Sequence, residues 1–297
     1  MTQQPLPTIS IITPTYNSAQ FLEQTIESVL SQGYPNLEYI IIDGNSSDET
    51  VAIIERYQAH LAYWVSEPDG GMYDAIQKGF DRSTGAIMGW LNSDDVHFPW
   101  TLTRVAELFT QFEQVKWVTS NIIMGMDEAG LPVYASQVPG YSRAGYRVGE
   151  HLPTASRKFA LEYIVQEATF WRRALWDDAG GYLDQQFKYA GDSELWMRFF
   201  DYADLYDVSI PLGQFRMHAN QITSALRTQY DDEVEAILRK HGAQAHGTLK
   251  AGIRRLAHRY TPDKLRRVLA GWGWLHRSQR IQYHTTDKQW KIRKGYY

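Results

Sequence analysis

Ala86-Ile87-Met88-Gly89-Trp90-Leu91-Asn92-Ser93-Asp94-Asp95 runs from an apolar, strand-like segment directly into two adjacent carboxylates. The end of a buried strand is a costly place for two like charges unless something positive sits there. A divalent cation holding a phosphate would be such a partner. The plainer reading is a solvated loop whose aspartate caps a helix, because Pro99 and a helical apolar pattern follow. The rest of the first hundred residues decides between the two.

Upstream, Thr8-Ile9-Ser10-Ile11-Ile12-Thr13 is short, β-branched and bounded by proline, the pattern of a buried strand. Ser18 then opens a helix to about Gln32, with Phe21, Leu22, Thr25, Ile26, Val29 and Leu30 at helical spacing. Leu37 to Asp43 predicts a second strand, Asp48 to Ala59 a helix, Ala62 to Ser66 a third strand, and Met72 to Asp81 a helix before the strand ending at Leu91. Strands alternating with helices predict a mostly parallel, doubly wound α/β sheet. Ligands of such sheets bind beyond the carboxyl ends of the strands. Thr15, Tyr16, Asn17, Asp43, Asp69 and Asp94 crowd those ends and are expected to share one crevice.

The second half is less regular. Lys116 to Met124 reads as one strand, Leu131 to Ser136 as its partner, and Pro139 to Pro153 as a glycine-rich mobile loop. Gln166 to Trp171 reads as a further strand, with a short helix up to Gly180-Gly181. A helix starts near Asp192, and strand-like residues run from Leu205 to Met217. Beyond about Thr223 the chain is expected to be helical.

In this order the chain resembles a bacterial family 2 glycosyltransferase of the GT-A fold, of the kind used in surface polysaccharide biosynthesis. The resemblance covers about residues 6 to 225. It is carried by Ile11 to Asn17, by Ile41-Ile42-Asp43-Gly44-Asn45-Ser46-Ser47-Asp48, by Glu67-Pro68-Asp69-Gly70-Gly71-Met72-Tyr73-Asp74-Ala75 with Lys78-Gly79, and by Leu91 to Asp95. Phe170-Trp171-Arg172-Arg173, Gly180-Gly181-Tyr182 and Gly191-Asp192 through Arg198 complete the series. The expected organisation is a catalytic domain over residues 1–225, with a donor half to about 115 and an acceptor half from 116, followed by a helical, basic extension over 226–297.

The resemblance implies transfer of a sugar from a nucleotide-diphosphate donor, a UDP-sugar by expectation, to a hydroxyl of a saccharide or lipid-linked saccharide. It implies inversion at the anomeric carbon. Mn2+ or Mg2+ would bridge the diphosphate and stabilise the charge that develops as it leaves. Asp94 matches the last acid of the family's DxD motif and is the first choice of metal ligand. Asn92 stands where the first acid usually is, with Ser93 between them. Asp95 is a second ligand, a water-mediated one, or only a cap.

Pro14, Thr15, Tyr16 and Asn17 resemble the loop that holds base and ribose, where Tyr16 can stack on the ring. Asp43 matches the position that accepts from a base N–H, and Asp69, Gly71, Asp74 and Lys78 match the donor loop. Lys78 either reaches a phosphate or is an ordinary exposed helix lysine. Asp48 reads as a helix cap. Asp192 is the expected general base, with Gly191 in the place of the usual Glu and Glu194 as the competing acid. His218 completes the metal or pyrophosphate site by resemblance, whereas His151, His241 and His246 match nothing.

Composition limits the alternatives. The chain has 297 residues and no cysteine, so disulfides and thiolate metal sites are excluded. Met1-Thr2-Gln3-Gln4-Pro5 has no charged or apolar leader pattern, so a signal peptide is not expected and a cytoplasmic location is. The net charge of -4 hides an asymmetry: residues 245–297 carry 13 Lys+Arg against 2 acids. Leu249, Ile253, Leu256 and Tyr260 share one helical face, and Leu265, Val268, Leu269, Trp272 and Leu275 continue a stripe beyond Thr261-Pro262. A basic amphipathic segment with tryptophan suits an anionic membrane surface, here the inner face of the cytoplasmic membrane; the alternative is a helical pair packed on the body. The acidic remainder argues against nucleic acid. No GxGxxG follows the first strand, so a Rossmann dehydrogenase is disfavoured. A sugar nucleotidyltransferase and a catalytically weak or inactive sugar- or nucleotide-sugar-binding protein remain as rivals, the latter because of Asn92 and Gly191.

Overall fold

A computed structural model of the chain describes residues 6–152, 154, 161, 163–219, 227–243, 252–254, 256 and 260–297. The first half alternates as its apolar pattern predicts: β1 (Ile9–Thr15), α1 (Leu22–Leu30), β2 (Leu37–Asp43), α2 (Thr50–Tyr57), β3 (Tyr63–Ser66), α3 (Met72–Arg82) and β4 (Ile87–Trp90). Then come β5 (Val96–His97), α4 (Thr101–Gln111), β6 (Trp117–Ser120), β7 (Ile122–Met126), β8 (Pro132–Gln137), α5 (Arg143–Arg147), β9 (Thr169–Arg172), α6 (Arg173–Asp178) and α7 (Gly191–Tyr202). The described part closes with β10 (Tyr206–Val208), β11 (Gly213–Arg216), α8 (Arg227–Lys240), α9 (Asp263–Gly271), β12 (Arg277–His284) and β13 (Gln289–Tyr296).

Among the described residues nine strands form the main sheet, in the order β13-β12-β10-β6-β9-β4-β1-β2-β3. β1 pairs in parallel with β2 and β4, so every residue of β1 is buried and the strand is apolar on both faces. Successive side chains alternate between faces. Ile9, Ile11 and Ile41 therefore pack with α1, α2 and α4, while Ile12, Ile40 and Ile42 pack with α3, α6, α7 and α8. On the second face Trp196 of α7 stacks on Trp90 (centroids 5.8 Å apart, planes at 12°), and Trp117 and Trp171 close around it. That tryptophan cluster fixes α7, and hence Asp192 at its start, against the strand that delivers Asn92 to Asp95.

Several expectations are corrected. Lys116 to Met124 is not one strand: it breaks at Asn121, and the chain passes from the main sheet into a second sheet of order β5-β11-β7-β8. β9 runs antiparallel between β4 and β6, with a short helical turn over Gln166–Ala168 before it. Asp95 caps no helix, because β5 intervenes and α4 begins only at Thr101. Residues 139–152 are packed rather than mobile, since Tyr141, Tyr146 and Leu152 bury in the core; Pro153 lies outside the described residues.

The carboxyl-terminal extension is not wholly helical either. β12 pairs in parallel with β10 and antiparallel with β13, so a hairpin completes the main sheet. Arg280 of β12 pairs with the fully buried Asp207 of β10. α8 places Tyr230, Val234, Ile237 and Leu238 in the core. Leu249, and with it the start of the expected amphipathic helix, lies outside the described residues, as do Met1 to Pro5, Asn220, Ser224 and His246. Among the described residues no helix is long and apolar enough to cross a membrane.

Candidate active site

The crevice is built at the carboxyl ends of β1, β2 and β4. At the end of β1 Tyr16 is 64% exposed, Thr15 is buried with its hydroxyl unpartnered, and Asn17 takes a left-handed φ of 48°. That turn is held from β2. The Asn17 N–H donates to Ser46 Oγ at 2.8 Å, and the Ser47 N–H donates to Asn17 Oδ1 at 2.9 Å.

Asp43, fully buried, accepts from the Ser46 N–H (2.9 Å), the Ser46 hydroxyl (2.5 Å) and the Ser66 hydroxyl (2.6 Å). A carboxylate can accept about four such bonds, so Asp43 shapes its own loop and keeps one lone pair for a ligand. The loop after β3 is similarly braced. Asp69 Oδ1 accepts from the Gly71 N–H at 2.8 Å, and Asp74 Oδ2 accepts from the Gly70 N–H at 2.9 Å. Gly71 sits at φ 114°, a conformation that only glycine adopts without strain. Lys78 does not point into open space: its ammonium pairs with Glu67 at 3.0 Å and Asp74 at 3.5 Å and donates to the Pro68 carbonyl, stapling the loop to α3.

The carboxylates after β4 part company. Asp94 is half-buried and its Oδ2 lies 3.0 Å from His218 Nε2. Asp95 is 2% exposed and accepts from the Arg216 backbone N–H at 3.0 Å, which makes it a brace between β4 and β11. Burial, then the charge of Asp94, pushes its carboxyl well above the usual range. Arg216 supports the same loop: its guanidinium donates to the carbonyls of Asp94, Asp127 and Glu128 and to Gln24, and covers the Phe21 ring at 4.7 Å. Phe21 also packs on His218, with ring centroids 4.9 Å apart. Ser93 bonds Ser18 across the crevice at 2.8 Å, and the Asn92 Oδ1 is buried without a partner.

Asp192 faces this cluster from the first turn of α7. Its Oδ1 accepts from the Ser193 N–H at 2.7 Å and lies 3.4 Å from the Tyr73 hydroxyl. Burial against the core raises its carboxyl to about 6, with the Ser193 and Tyr73 bonds opposing. Tyr73 explains Gly191 as well: a Cβ there would lie 2.8 Å from the tyrosine ring, so no Glu fits. α8 braces the turn before Asp192, where Glu233 accepts from the N–H groups of Lys188, Tyr189 and Ala190.

Glu194, the competing acid, is fully buried on Arg198 (2.8 Å), Lys240 (2.9 Å) and His241 (3.1 Å). Burial works to raise its pKa, but those three partners outweigh it and hold the carboxyl at about 2. Glu194 is structural.

The residues that sequence reasoning missed are Tyr73, Arg216 and Glu167. Glu167 is 5% exposed, and its Oε1 has no partner. Burial, and then the charges of Asp192 and Asp94, hold it toward its neutral form. Glu167 thus lies within electrostatic reach of Asp94, Asp95 and Asp192. The signals were a carboxylate inside the apolar run Gln166 to Trp171 and an arginine inside Phe215 to Met217.

A family model described as Glycosyl transferase family 2 matches residues 10–161. The chain belongs to that family. An uncharacterized glycosyltransferase of Mycobacterium tuberculosis (strain ATCC 25618 / H37Rv) is 32% identical over 197 residues, covering 65% of this chain and 68% of the relative. A Bacillus subtilis (strain 168) protein named for teichuronic acid biosynthesis, TuaG, is 37% identical over 94 residues, covering 30% and 36%. Among solved structures, S. aureus TarS 1-349 in complex with UDP-GlcNAc superposes with a TM-score of 0.62 at 19% identity, covering 82% of this chain and 69% of that one. The mannosyltransferase PcManGT from Pyrobaculum calidifontis, in complex with GDP-Man and Mn2+, superposes at 0.52 and 18% identity over 91% and 80%. The fold is the GT-A fold of these glycosyltransferases.

Acid titration separates the two carboxylates of α7. A depressed carboxyl contributes stability above its unfolded value near 4.5, and that contribution is lost as pH falls through about 2. Glu194→Gln removes the charge shared by Arg198, Lys240 and His241, so it is expected to cost about 3 kcal/mol at pH 7 and to flatten the acid limb of a urea-unfolding series. Asp192→Asn is expected to do neither.

Proposed function

We propose that the enzyme transfers a sugar from a nucleoside-diphosphate donor, with uridine the expected base, to a hydroxyl of a saccharide or lipid-linked saccharide, with inversion at the anomeric carbon. The observation that carries this reading is the division of acids around one crevice: Asp94 beside His218 on the β4 side, and Asp192 on α7. The TarS and PcManGT complexes with nucleotide sugars support it by likeness of fold. The likeness to TuaG supports a surface polysaccharide as the product.

The residues present fit a divalent cation, Mn2+ or Mg2+. Buried oxygens stand unpartnered at Asn92 and Thr15. Among the described residues no three His, Asp or Glu side chains are gathered tightly enough to hold an ion unaided. Asp94 and His218 would therefore share it with the donor's phosphates and water, the usual habit of Mg2+, and imidazole suits Mn2+. When bound, the ion supplies positive charge to the departing diphosphate.

The chain's own residues do the rest. Tyr16 offers a face for the base, Asp43 an acceptor for its ring N–H, and the loop of Asp69 to Asp74 closes over the diphosphate. Asp192 takes the proton of the acceptor hydroxyl as its oxygen bonds to the anomeric carbon and the bond to the phosphate oxygen breaks on the opposite face. A base with a pKa near 6 is charged at neutral pH and still accepts a proton. The acid limb of kcat/KM is accordingly expected near pH 6. Asp192→Asn is expected to cut kcat by about 10² to 10⁴ with nucleotide affinity unchanged, and Asp94→Ala to abolish the Mn2+-dependent part of UDP binding by calorimetry. Near-normal turnover in Asp192→Asn would remove it from the base role.

We also propose peripheral attachment to an anionic membrane face, within the reach of a lipid-linked acceptor. Leu265, Val268 and Trp272 lie three and four residues apart on and just beyond α9. Trp272 is 72% exposed, Trp274 59% and Tyr260 74%. Exposed Lys264 and Arg267 flank the stripe. Aromatic rings beside basic groups suit the headgroup boundary, where each Lys or Arg adds about 1 kcal/mol. Truncation before this segment would strip β12 and β13 from the sheet, so substitution is the cleaner test. The Trp272→Ser, Trp274→Ser double variant is expected to sediment less with phosphatidylglycerol liposomes than the parent, with an unchanged melting temperature; equal partitioning would refute attachment.

A further inference from the structure

Glu167 has no task in the reaction as described, yet the fold invests heavily in its position. Gln166 Nε2 donates to the Trp90 carbonyl at 2.5 Å, which pins the turn beside the end of β4. His97 Nε2 lies 3.1 Å from the Glu167 carbonyl. From the other side β11 crowds in: a Cβ on Gly213 would lie 2.4 Å from that carbonyl oxygen and 2.8 Å from Glu167 Cγ. The backbone and Cγ of Glu167 are thereby held in place, and its Oε1 ends buried with no partner.

A buried carboxylate oxygen without a donor is costly, and here Asp94, Asp95 and Asp192 are its neighbours. No structural bond offsets that cost at Oε1. A ligand group that donates hydrogen bonds would. On the reading above Asp94 marks the diphosphate side and Asp192 the acceptor side, so the ring of a donor sugar lies between them, and Glu167 is within electrostatic reach of both.

We propose that Glu167 accepts hydrogen bonds from ring hydroxyls of the donor sugar, and that this sugar is a neutral hexose or N-acetylhexosamine. The inference rests on the donor-site reading above. Hydroxyl groups supply the donors that the orphaned oxygen lacks. A hexuronate would bring one more carboxylate into a space already bounded by four.

The test is calorimetry on the full chain with Mn2+, using UDP and then UDP-glucose, UDP-galactose, UDP-GlcNAc and UDP-glucuronate. The parent is expected to bind one neutral UDP-sugar more tightly than UDP, and UDP-glucuronate no more tightly than UDP. Glu167→Gln and Glu167→Ala are expected to bind UDP within twofold of the parent while losing at least tenfold in affinity for that sugar nucleotide, the alanine variant more. Glu167→Gln keeps the shape of a side chain whose charged form its acidic neighbours disfavour, so the ligand-free protein is expected to melt at the same temperature or higher. A merely structural glutamate would lower it.

Equal loss of UDP and UDP-sugar affinity would overturn the proposal in favour of a metal or structural part, as would unchanged affinity for both. Tighter binding of UDP-glucuronate than of every neutral sugar would overturn the assigned sugar class. A parent chain that binds neither UDP nor any UDP-sugar would instead sink the donor-site reading, and this proposal with it.

Discussion

The guanidinium of Arg216 is the joint on which the site depends. It is fully buried, and it links β11 of the small sheet to the loop after β4 and to the turn carrying Asp127 and Glu128. Its own backbone N–H adds a bond to Asp95. Two sheets and one helix, through Gln24 of α1, thus converge on one side chain. Planar geometry and five donors make arginine suited to this, where lysine would not be. The donated bonds go to carbonyl oxygens and an amide, so the Asp94 carboxylate stays available beside His218.

Electrostatics then sorts acids of the same helix by their surroundings. Glu194 is saturated by Arg198, Lys240 and His241 and anchors α7 to α8. Asp192, two residues earlier, is held by the backbone and side chain of Ser193 and by the Tyr73 hydroxyl, all of them neutral, and burial keeps its affinity for a proton high. Divergent environments for neighbouring carboxylates are how a site separates bracing from proton transfer. The tyrosine on Asp192 comes from α3, so that helix and α7 are physically joined there.

The alternating first half was legible because parallel strands buried on both faces read as unbroken apolar runs, and Ile9 to Ile12 and Ile40 to Ile42 are such runs. The glycine-rich turn after β3 and the acidic turn after β4 were legible as features because motif order survives where local geometry is demanding. The hairpin was not. Arg277 to His284 is polar, with only Ser278 and Ile281 buried, and pairing with β10 rather than an apolar stripe makes it a strand. Residues 139–152 looked loose because their tyrosines bury by tertiary contact, without periodicity. Glu167 and Arg216 escaped notice since a charge within an apolar run gains meaning only from neighbours far away in sequence. Gly191, read as a lost acid, is instead the room that Tyr73 requires.

The hairpin at the rim of the nine-stranded sheet has a colloidal consequence. An outermost strand offers unpaired backbone groups to any passing chain, and natural proteins blunt such rims with lysine and arginine. β13 carries Lys291, Arg293 and Lys294. Two molecules approaching rim to rim therefore bring like charges together before their backbones can zip, and growth of the sheet from one molecule into the next is discouraged at the place where it would otherwise start.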